Sequence, residues 1–207
     1  MSSPGFSKTP QWRGGQQYLA SQLPRQARGW LLDEGSLTAH LVAASRGHFR
    51  VEVISQRWGT ARLHEATLLD IEPRRLCLLR EVFLYCNNQP WIYARSVLPE
   101  ASLRRGLRHL RRFGNQPLGQ LLFNDPHLRR EPFELASLPA TDIPSFGHSV
   151  DDSKLNTTRL LGRRSKFIVQ GEVLMVSEIF LPAFWQGMAA HPARSSSQRR
   201  TASSRRN

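Results

Sequence analysis

The fold is decided by residues 77–99, which read C-L-L-R-E-V-F-L-Y-C-N-N-Q-P-W-I-Y-A-R-S-V-L-P. Two runs of apolar, β-branched and aromatic residues flank the turn residues N-N-Q-P, and this pattern predicts two antiparallel strands joined as a hairpin. The second strand ends at Pro99, where a missing N–H costs the sheet least. Cys77 and Cys86, the only cysteines, are nine positions apart, so we expect two unpaired thiols on opposite faces.

Two further hairpins are predicted on either side of this one. Residues 48–57 alternate apolar and polar side chains, and a turn at 58–60 leads to an expected partner strand over 60–66. The third hairpin joins 165–169 to 173–181 through Gln170-Gly171. The chain shows no regular alternation of strands and helices, so a parallel sheet is not expected.

Helices are predicted before and between these hairpins. Ser36 can cap a helix that ends at Gly47. Residues 101–113 carry leucines on one face and arginines on the rest, which is typical of a helix with one solvated side. A short helix begins near Pro117. Together these elements predict an α+β domain built on a six-stranded antiparallel sheet with helices packed on it.

The net charge of +13 is concentrated at the two ends of the chain. Residues 1–29 hold four basic residues and no acid, residues 191–207 hold five arginines and no acid, and all 16 acids lie within 30–190. We therefore expect a basic N-terminal extension (1–29), one domain (30–190) with a long loop at 124–161, and a disordered basic tail (191–207). Such a tail is either a solubility segment or a loose contact for polyanions.

Several classes of protein are disfavoured by motifs that the sequence does not contain. No apolar stretch reaches the roughly 18 residues of a membrane helix, and the first residues do not form a secretory signal. Zinc-binding spacings, glycine-rich nucleotide-binding motifs and the Gly-x-Ser-x-Gly elbow are absent as well. We therefore expect a cytoplasmic protein that, if it is an enzyme, works without a metal or another cofactor. The sequence contains no aromatic RNA-binding motif, so a specific nucleic acid is not expected as a partner.

Two charges interrupt otherwise apolar strands at matching positions. Arg95 stands four residues before Pro99, and Glu178 stands four residues before Pro182. A charge in an apolar setting needs a partner. Either the two charges pair with each other, or one lies on a solvated face, or they form the two ends of a small cavity. Such a cavity suits a ring that carries a carboxylate for the guanidinium and a hydroxyl for the carboxyl group.

Four motifs occur in a fixed order along the chain. They are L-L-D-E-G-S-L-T at 31–38, W-x-x-A-R-S-V-L-P at 91–99, F-G-N-Q-P-L-G-Q-L-L-F at 113–123, and G-R-R-S-K-F-x-x-x-G-E-x-L-x-x-x-E-x-F-L-P at 162–182. In these motifs the sequence resembles the chorismate pyruvate-lyase family, which makes 4-hydroxybenzoate for ubiquinone. The resemblance implies a six-stranded antiparallel sheet with helices on it. It also implies chorismate as substrate, 4-hydroxybenzoate and pyruvate as products, and no cofactor.

The resemblance implies roles for individual residues. Arg95 would bind the ring carboxylate, and Glu178 would face the ring hydroxyl, either shuttling a proton or only holding the hydroxyl. Leu37 and Leu118 would line the site and offer backbone N–H groups to the carboxylate. Further candidates for the enolpyruvyl carboxylate are Arg80, Arg163 and Arg164. The sequence does not give the oligomeric state, and a monomer is favoured.

Some features depart from the family pattern or leave other functions open. Gly114 and Gly119 flank a segment that we interpret as a flap over the ligand, and the 124–161 segment is longer than the family usually carries. The same fold serves as an effector-binding domain in bacterial regulators, but the residues before Trp30 are too few for a DNA-binding domain. A third possibility is a protein that binds nucleic acid through its basic ends alone.

Overall fold

The computed structural model describes residues 10–15, 23–111, 114–144 and 158–190. The predicted basic tail at 191–207 lies outside the described residues, as do residues 1–9 and 16–22 of the extension and 145–157 of the long loop. The proposed division into extension, domain and tail therefore stays a prediction. No helix of the described part is long and apolar enough to cross a membrane.

Within the described residues, eight strands form one sheet in which every pairing is antiparallel. They are β1 (Arg13–Gly14), β2 (Phe49–Thr60), β3 (Leu76–Cys86), β4 (Gln89–Pro99), β5 (Arg129–Arg130), β6 (Glu134–Pro139), β7 (Arg159–Val169) and β8 (Glu172–Phe180). The order across the sheet is β1-β6-β7-β8-β4-β3-β2, and β5 pairs with β7. The helices are α1 (Arg25–Leu31), α2 (Leu37–Ala44), α3 (Leu63–Leu69), α4 (Glu100–Arg104), α5 (Leu118–Phe123) and α6 (Pro182–Ala190).

The predicted α+β class with an antiparallel sheet is confirmed, with eight strands where six were expected. Two of the predicted hairpins are present with two-residue turns. Asn87 and Asn88 have φ values of 50° and 60°, and Gln170 and Gly171 have φ values of 52° and 80°. Positive φ at both turn residues matches the right-handed twist of the flanking strands.

The predicted hairpin between 48–57 and 60–66 is wrong. β2 continues through Gly59, which pairs with Cys77, so its partner is β3 along its whole length. The residues expected to form its partner strand mostly belong to α3 instead. The carboxylate of Glu65 accepts a hydrogen bond from the backbone N–H of Arg62 at 2.8 Å, and this local contact stabilises a helix start.

Two other segments differ from expectation. The segment 124–161 contains β5, β6 and the start of β7, because E-L-A-S-L-P at 134–139 alternates as a strand and pairs with β7. The helix expected over 101–113 is interrupted. α4 ends at Arg104, and Arg105 has a non-helical backbone (φ −103°, ψ −118°) before a 3-10 turn at Arg108–Arg111.

Both faces of the sheet are covered. We call the side of β3 that carries Arg80 and Val82 the first face, and the side that carries Glu81 and Phe83 the second face, because side chains alternate along a strand. Helices α1, α2, α4, α5 and α6 pack on the first face, whereas α3 and the segment 140–143 pack on the second. The two cysteine thiols are free and buried in different clusters, on opposite faces as predicted.

Candidate active site

A cavity that is partly open to solvent lies between the first face and helices α2 and α5. Its floor is formed by β3, β4 and β8, and its walls are mostly apolar. Three charged side chains line it, namely Arg80, Arg130 and Glu178. A largely apolar cavity with a few convergent charged groups is typical of a small-molecule site.

The starts of two helices form the roof of this cavity. Ser36 caps α2, since its hydroxyl accepts a hydrogen bond from the Ala39 N–H at 3.3 Å, and Leu37 is therefore the first residue of that helix. Leu118 is the first residue of α5 and follows Pro117, which makes no side-chain cap. The two helices approach each other closely, because a Cβ placed on Gly119 would lie 3.0 Å from Thr38 Oγ1. The first amides of a helix have no acceptor within that helix, so they are natural donors to a ligand.

Arg80 reaches the cavity from β3 and is almost completely buried. Its Nη2 donates to the backbone carbonyls of Gly114 at 2.9 Å and Gln116 at 3.1 Å. These contacts tie the segment before α5 to the sheet. Burial lowers the pKa of Arg80 to about 10, so the side chain is still a cation at neutral pH.

Glu178 reaches the cavity from β8 and is held by Arg163, its cross-strand partner on β7. The Nε of Arg163 donates to Glu178 Oε2 at 2.6 Å. The Nη1 of Arg163 donates to the backbone carbonyls of Trp30 at 2.7 Å and Asp33 at 2.8 Å. Arg163 thus fixes the carboxylate and connects the segment before α2 to β7.

Arg130, on β5, was not singled out by the sequence analysis. Its guanidinium carbon lies 3.8 Å from the centroid of the Phe133 ring, and its Nε donates to Ser165 Oγ at 3.0 Å. Its Nη2 lies 4.0 Å from Glu178 Oε2. Burial lowers the pKa of Arg130 to about 10. The residue was missed because it lies in the segment 124–161, which was interpreted as a loop.

Arg95 and Glu178 do not share a cavity, so the prediction that they form its two ends is wrong. Arg95 pairs across the sheet with Ser177, the neighbour of Glu178 along β8. Neighbouring residues of a strand point to opposite sides, and Arg95 therefore lies on the second face. The two charges do not pair with each other either, and neither lies on a solvated face. None of the three arrangements considered in the sequence analysis is therefore present.

The partners of Arg95 are two carboxylates that the sequence analysis did not connect with it. Its Nε and Nη2 donate to Glu65 of α3 at 2.8 and 3.1 Å, and its Nη1 donates to Glu81 of β3 at 2.7 Å. Both carboxylates are also buried. An arginine with two buried counter-ions is a structural ion-pair centre rather than a cation for a ligand.

The other arginines considered in the sequence analysis also lie on different faces of the sheet, because side chains alternate along a strand. Arg164 lies on the second face, where it donates to Glu134 at 2.6 Å and to His64 Nδ1 at 2.7 Å. The structure therefore brings Leu37, Leu118 and Glu178 together with Arg80 in one cavity, and leaves Arg95 and Arg164 outside it. Among the residues that the structure describes, no group of three or more His, Cys, Asp or Glu side chains could hold a metal ion.

Comparison with known proteins places the chain in a family. A family model described as chorismate lyase matches residues 10–189. The probable chorismate pyruvate-lyase 2 of Pseudomonas entomophila is 39% identical over 168 residues, which cover 81% of this chain and 86% of that protein. The probable chorismate pyruvate-lyase of Pseudomonas aeruginosa (strain UCBPP-PA14) is 38% identical over 156 residues, which cover 75% of this chain and 83% of that protein.

A solved structure shares the fold at low sequence identity. The effector domain of PhnF from Mycobacterium smegmatis aligns with a TM-score of 0.50 and 15% identity, covering 73% of this chain and 91% of that chain. At this identity the likeness concerns the fold alone.

Proposed function

The chain belongs to the chorismate lyase family, and we propose that it converts chorismate to 4-hydroxybenzoate and pyruvate in the cavity on the first face. The observation that carries this proposal is that Arg80 and Glu178 share one cavity roofed by the starts of α2 and α5. The residue proposed to bind the ring carboxylate is therefore Arg80 of β3, and no longer Arg95 of β4, which lies on the second face.

The spacing of the two charges suits one ring. Arg80 faces Ser96 on β4, which faces Val176 on β8, two residues from Glu178. With strands about 4.8 Å apart and a rise of about 3.3 Å per residue, the two Cα atoms are separated by roughly 12 Å. Two long side chains that extend from these positions leave room for a six-membered ring between a carboxylate and a hydroxyl.

We propose that the ring carboxylate is bound by three groups. The Arg80 guanidinium supplies charge-assisted hydrogen bonds, and the backbone N–H groups of Leu37 and Leu118 supply two more donors. The largely apolar lining favours this arrangement, because a contact between a guanidinium and a carboxylate is stronger in a poorly solvated cavity than in water. At the other end, Glu178 accepts a hydrogen bond from the C4 hydroxyl.

The reaction is an elimination that needs no added oxidant or reductant. The C4 hydrogen leaves as a proton, and the electron pair of the C4–H bond completes the aromatic ring. The C3–O bond breaks, and the ether oxygen leaves with the enolpyruvyl group, which takes up a proton at its CH₂ carbon to become pyruvate. Aromatisation supplies much of the driving force, so the protein mainly orients the substrate and manages one proton. Glu178 either shuttles that proton or holds the hydroxyl.

The experiment that tests this function compares Arg80→Met with the wild type. Chorismate is supplied without added metal or nucleotide, and 4-hydroxybenzoate and pyruvate are measured together. We expect equal amounts of the two products from the wild type, and a kcat/KM lowered about 100-fold or more in Arg80→Met, since the charged contact to the carboxylate is lost.

The matched control is Arg75→Met, the same change at an exposed arginine that forms a surface ion pair with Glu72. This variant should keep wild-type activity. Wild-type activity in a folded Arg80→Met protein would contradict the assignment of Arg80. Absence of both products with folded wild-type protein would contradict the lyase function and leave ligand binding by the same fold as the better interpretation.

We also propose that the product supplies the aromatic ring of ubiquinone and that the enzyme acts in the cytoplasm. The family resemblance supports the first statement. The second is supported by two free, buried cysteine thiols, which suit a reducing compartment.

A further inference from the structure

The substrate carries one more negative charge than the aromatic product. Chorismate has a ring carboxylate and a second carboxylate on its enolpyruvyl group, whereas 4-hydroxybenzoate has only the first. A carboxylate that enters a poorly solvated cavity without a cation is strongly disfavoured. The cavity on the first face therefore needs a second cation besides Arg80 when the substrate binds.

Two of the arginines near the sheet centre do not fit this requirement. Arg163 is 1% exposed, and its Nε and Nη1 already donate to Glu178 and to two backbone carbonyls. It lies beside Glu178 on the neighbouring strand β7, and it is not among the residues that line the cavity. Arg164 lies on the second face against Glu134.

Arg130 lines the cavity, and its Nη atoms are only loosely engaged. Nη1 lies 3.4 Å from the backbone carbonyl oxygens of both Glu34 and Gly35, and Nη2 lies 4.0 Å from Glu178 Oε2. These distances are long for hydrogen bonds of an arginine, which are usually near 2.9 Å. By contrast, Nε is held firmly by Ser165 at 3.0 Å. The guanidinium is thus anchored at one edge, and its other edge is available for a bidentate contact.

The surroundings of Arg130 orient the edge of the guanidinium that carries Nη1 and Nη2. Its guanidinium lies over the Phe133 ring at 3.8 Å and near the Phe167 ring at 5.1 Å. Aromatic faces hold a guanidinium without consuming its N–H donors. The side chain is 12% exposed, so a carboxylate that reaches it meets a largely desolvated cation.

We propose that Arg130 binds the carboxylate of the enolpyruvyl group and so distinguishes the doubly charged substrate from the singly charged aromatic product. This inference rests on the proposed function, because it names the contact that recognises the leaving group of that reaction. Arg80 contacts a carboxylate that substrate and product share. Arg130 contacts one that the aromatic product no longer has.

The two arginines should therefore give different signatures when each is replaced. In Arg130→Met we expect kcat/KM for chorismate to fall roughly 10- to 100-fold, the usual range for losing a hydrogen-bonded charge. The Kd of 4-hydroxybenzoate should stay within about threefold of the wild-type value, because that ligand does not use the contact. In Arg80→Met we expect kcat/KM for chorismate to fall and the Kd of 4-hydroxybenzoate to rise together.

The experiment measures chorismate turnover and 4-hydroxybenzoate binding by calorimetry in the full-length wild type, Arg130→Met, Arg130→Lys and Arg129→Met. Arg129 is the exposed neighbour on β5, so its variant controls for the loss of one positive charge in that strand. Arg129→Met should match the wild type. Arg130→Lys should recover part of the lost activity, since it restores a cation without the bidentate geometry.

Each result decides the assignment. A selective loss for chorismate in Arg130→Met supports it. An equal loss of chorismate turnover and 4-hydroxybenzoate affinity would show that Arg130 shapes the cavity for both ligands, and unchanged values would show no contact; both outcomes overturn the proposal.

Failure of the proposed function gives a separate signature. If the folded wild type yields no 4-hydroxybenzoate, chorismate stays intact and its Kd is measured directly. A weaker Kd for chorismate in Arg130→Met, with that of 4-hydroxybenzoate unchanged, would still support Arg130 as the contact for the second carboxylate. Equal Kd values for chorismate in the two proteins would overturn it.

Discussion

The two faces of the sheet both bury arginines, but they give them different partners. On the first face, Arg80 donates to the backbone carbonyls of Gly114 and Gln116 and lines the cavity. On the second face, Arg95 donates to the carboxylates of Glu65 and Glu81. The carboxylates of Glu65 and Glu81 neutralise Arg95 inside the protein, whereas the two hydrogen bonds given for Arg80 go to neutral oxygens at the cavity. Burial of an arginine therefore does not by itself indicate a binding site.

The second face continues this pattern of internal pairing. In the register of the sheet, Glu81 faces Arg95, which faces Ser177, which faces Arg164, which faces Glu134. The residues thus form one row across five strands, in which each of the two arginines has a glutamate as its cross-strand neighbour. Burial on its own would raise the pKa of the Glu65 carboxyl from α3, but hydrogen bonds and charge from Arg95 hold that pKa below its usual value. We interpret this row, together with α3, as a network that stabilises the fold, and we place the proposed reaction on the first face.

The largest effect that would test this comparison is on stability. Arg95→Met leaves Glu65 and Glu81 buried without their cation, so we expect it to lower the free energy of unfolding by about 3–5 kcal/mol. Urea denaturation followed by circular dichroism measures this change. Arg80→Met should cost less, because its hydrogen bonds to Gly114 and Gln116 go to neutral carbonyls, which cost less to leave unpaired than carboxylates.

The effects of the same two variants on chorismate turnover should be in the opposite order. The folded fraction of Arg95→Met should keep its activity, whereas Arg80→Met should lose it. The distinction between the two faces would break down if Arg95→Met were as stable as the wild type, or if its folded fraction failed to bind 4-hydroxybenzoate.

A smaller effect concerns the pH dependence of stability on the second face. Arg164 donates to His64 Nδ1, so the neutral ring carries its proton on Nε2. Burial, and then the charge of Arg164, lower the pKa of His64 from its usual 6.5. In the unfolded chain His64 takes up a proton as the pH falls through about 6.5, while in the folded chain it stays neutral to lower pH. Stability contributed by His64 is therefore present above pH 6.5 and is lost as the pH falls towards 5.

His64→Gln should reduce this loss of stability between pH 7 and 5. One proton gives a slope of at most about 1.4 kcal/mol per pH unit, and solvent screening at this partly exposed ring makes the slope smaller. Thermal unfolding at several pH values gives the comparison. Parallel stability curves for the two proteins would show that His64 does not titrate differently on folding.

The smallest effect concerns the roof of the cavity on the first face. Ser36→Ala removes the side-chain cap of α2, which should cost about 1 kcal/mol of stability. Because the cap positions the Leu37 amide, we also expect the KM for chorismate to rise a few-fold with kcat nearly unchanged. Steady-state kinetics at 25 °C tests this. An unchanged KM beside the stability loss would mean that the Leu37 amide is positioned by packing alone.

Local patterns were sufficient for much of the fold. The hairpin between β3 and β4 and the hairpin between β7 and β8 follow from apolar runs around short turns, and Ser36 marks the start of α2. The pattern failed where local signals conflicted. The glycine at 59 looked like a turn but lies inside β2, and the strand β6 was hidden in a segment rich in loop-forming residues.

The sequence by itself determined the fold class, the family resemblance and the presence of Leu37, Leu118 and Glu178 around one cavity. Local alternation also defined the two faces of each strand, but the sequence did not show which faces of β4 and β8 are joined. Arg95 and Glu178 stand at matching distances from a proline, yet antiparallel pairing brings Ser177, and not Glu178, opposite Arg95. A shift of one residue in register changes the face of every side chain, and register is set by contacts between distant segments.

Only the tertiary structure therefore decided which arginine accompanies Glu178. The partners of the buried arginines come from elements far away in the chain. Carboxylates of α3 and β3 neutralise Arg95, whereas Arg80 lines the cavity and donates to carbonyls of the segment before α5. The role of a buried charge depends on its counter-charges, and those are brought together only when the helices pack on the two faces of the sheet.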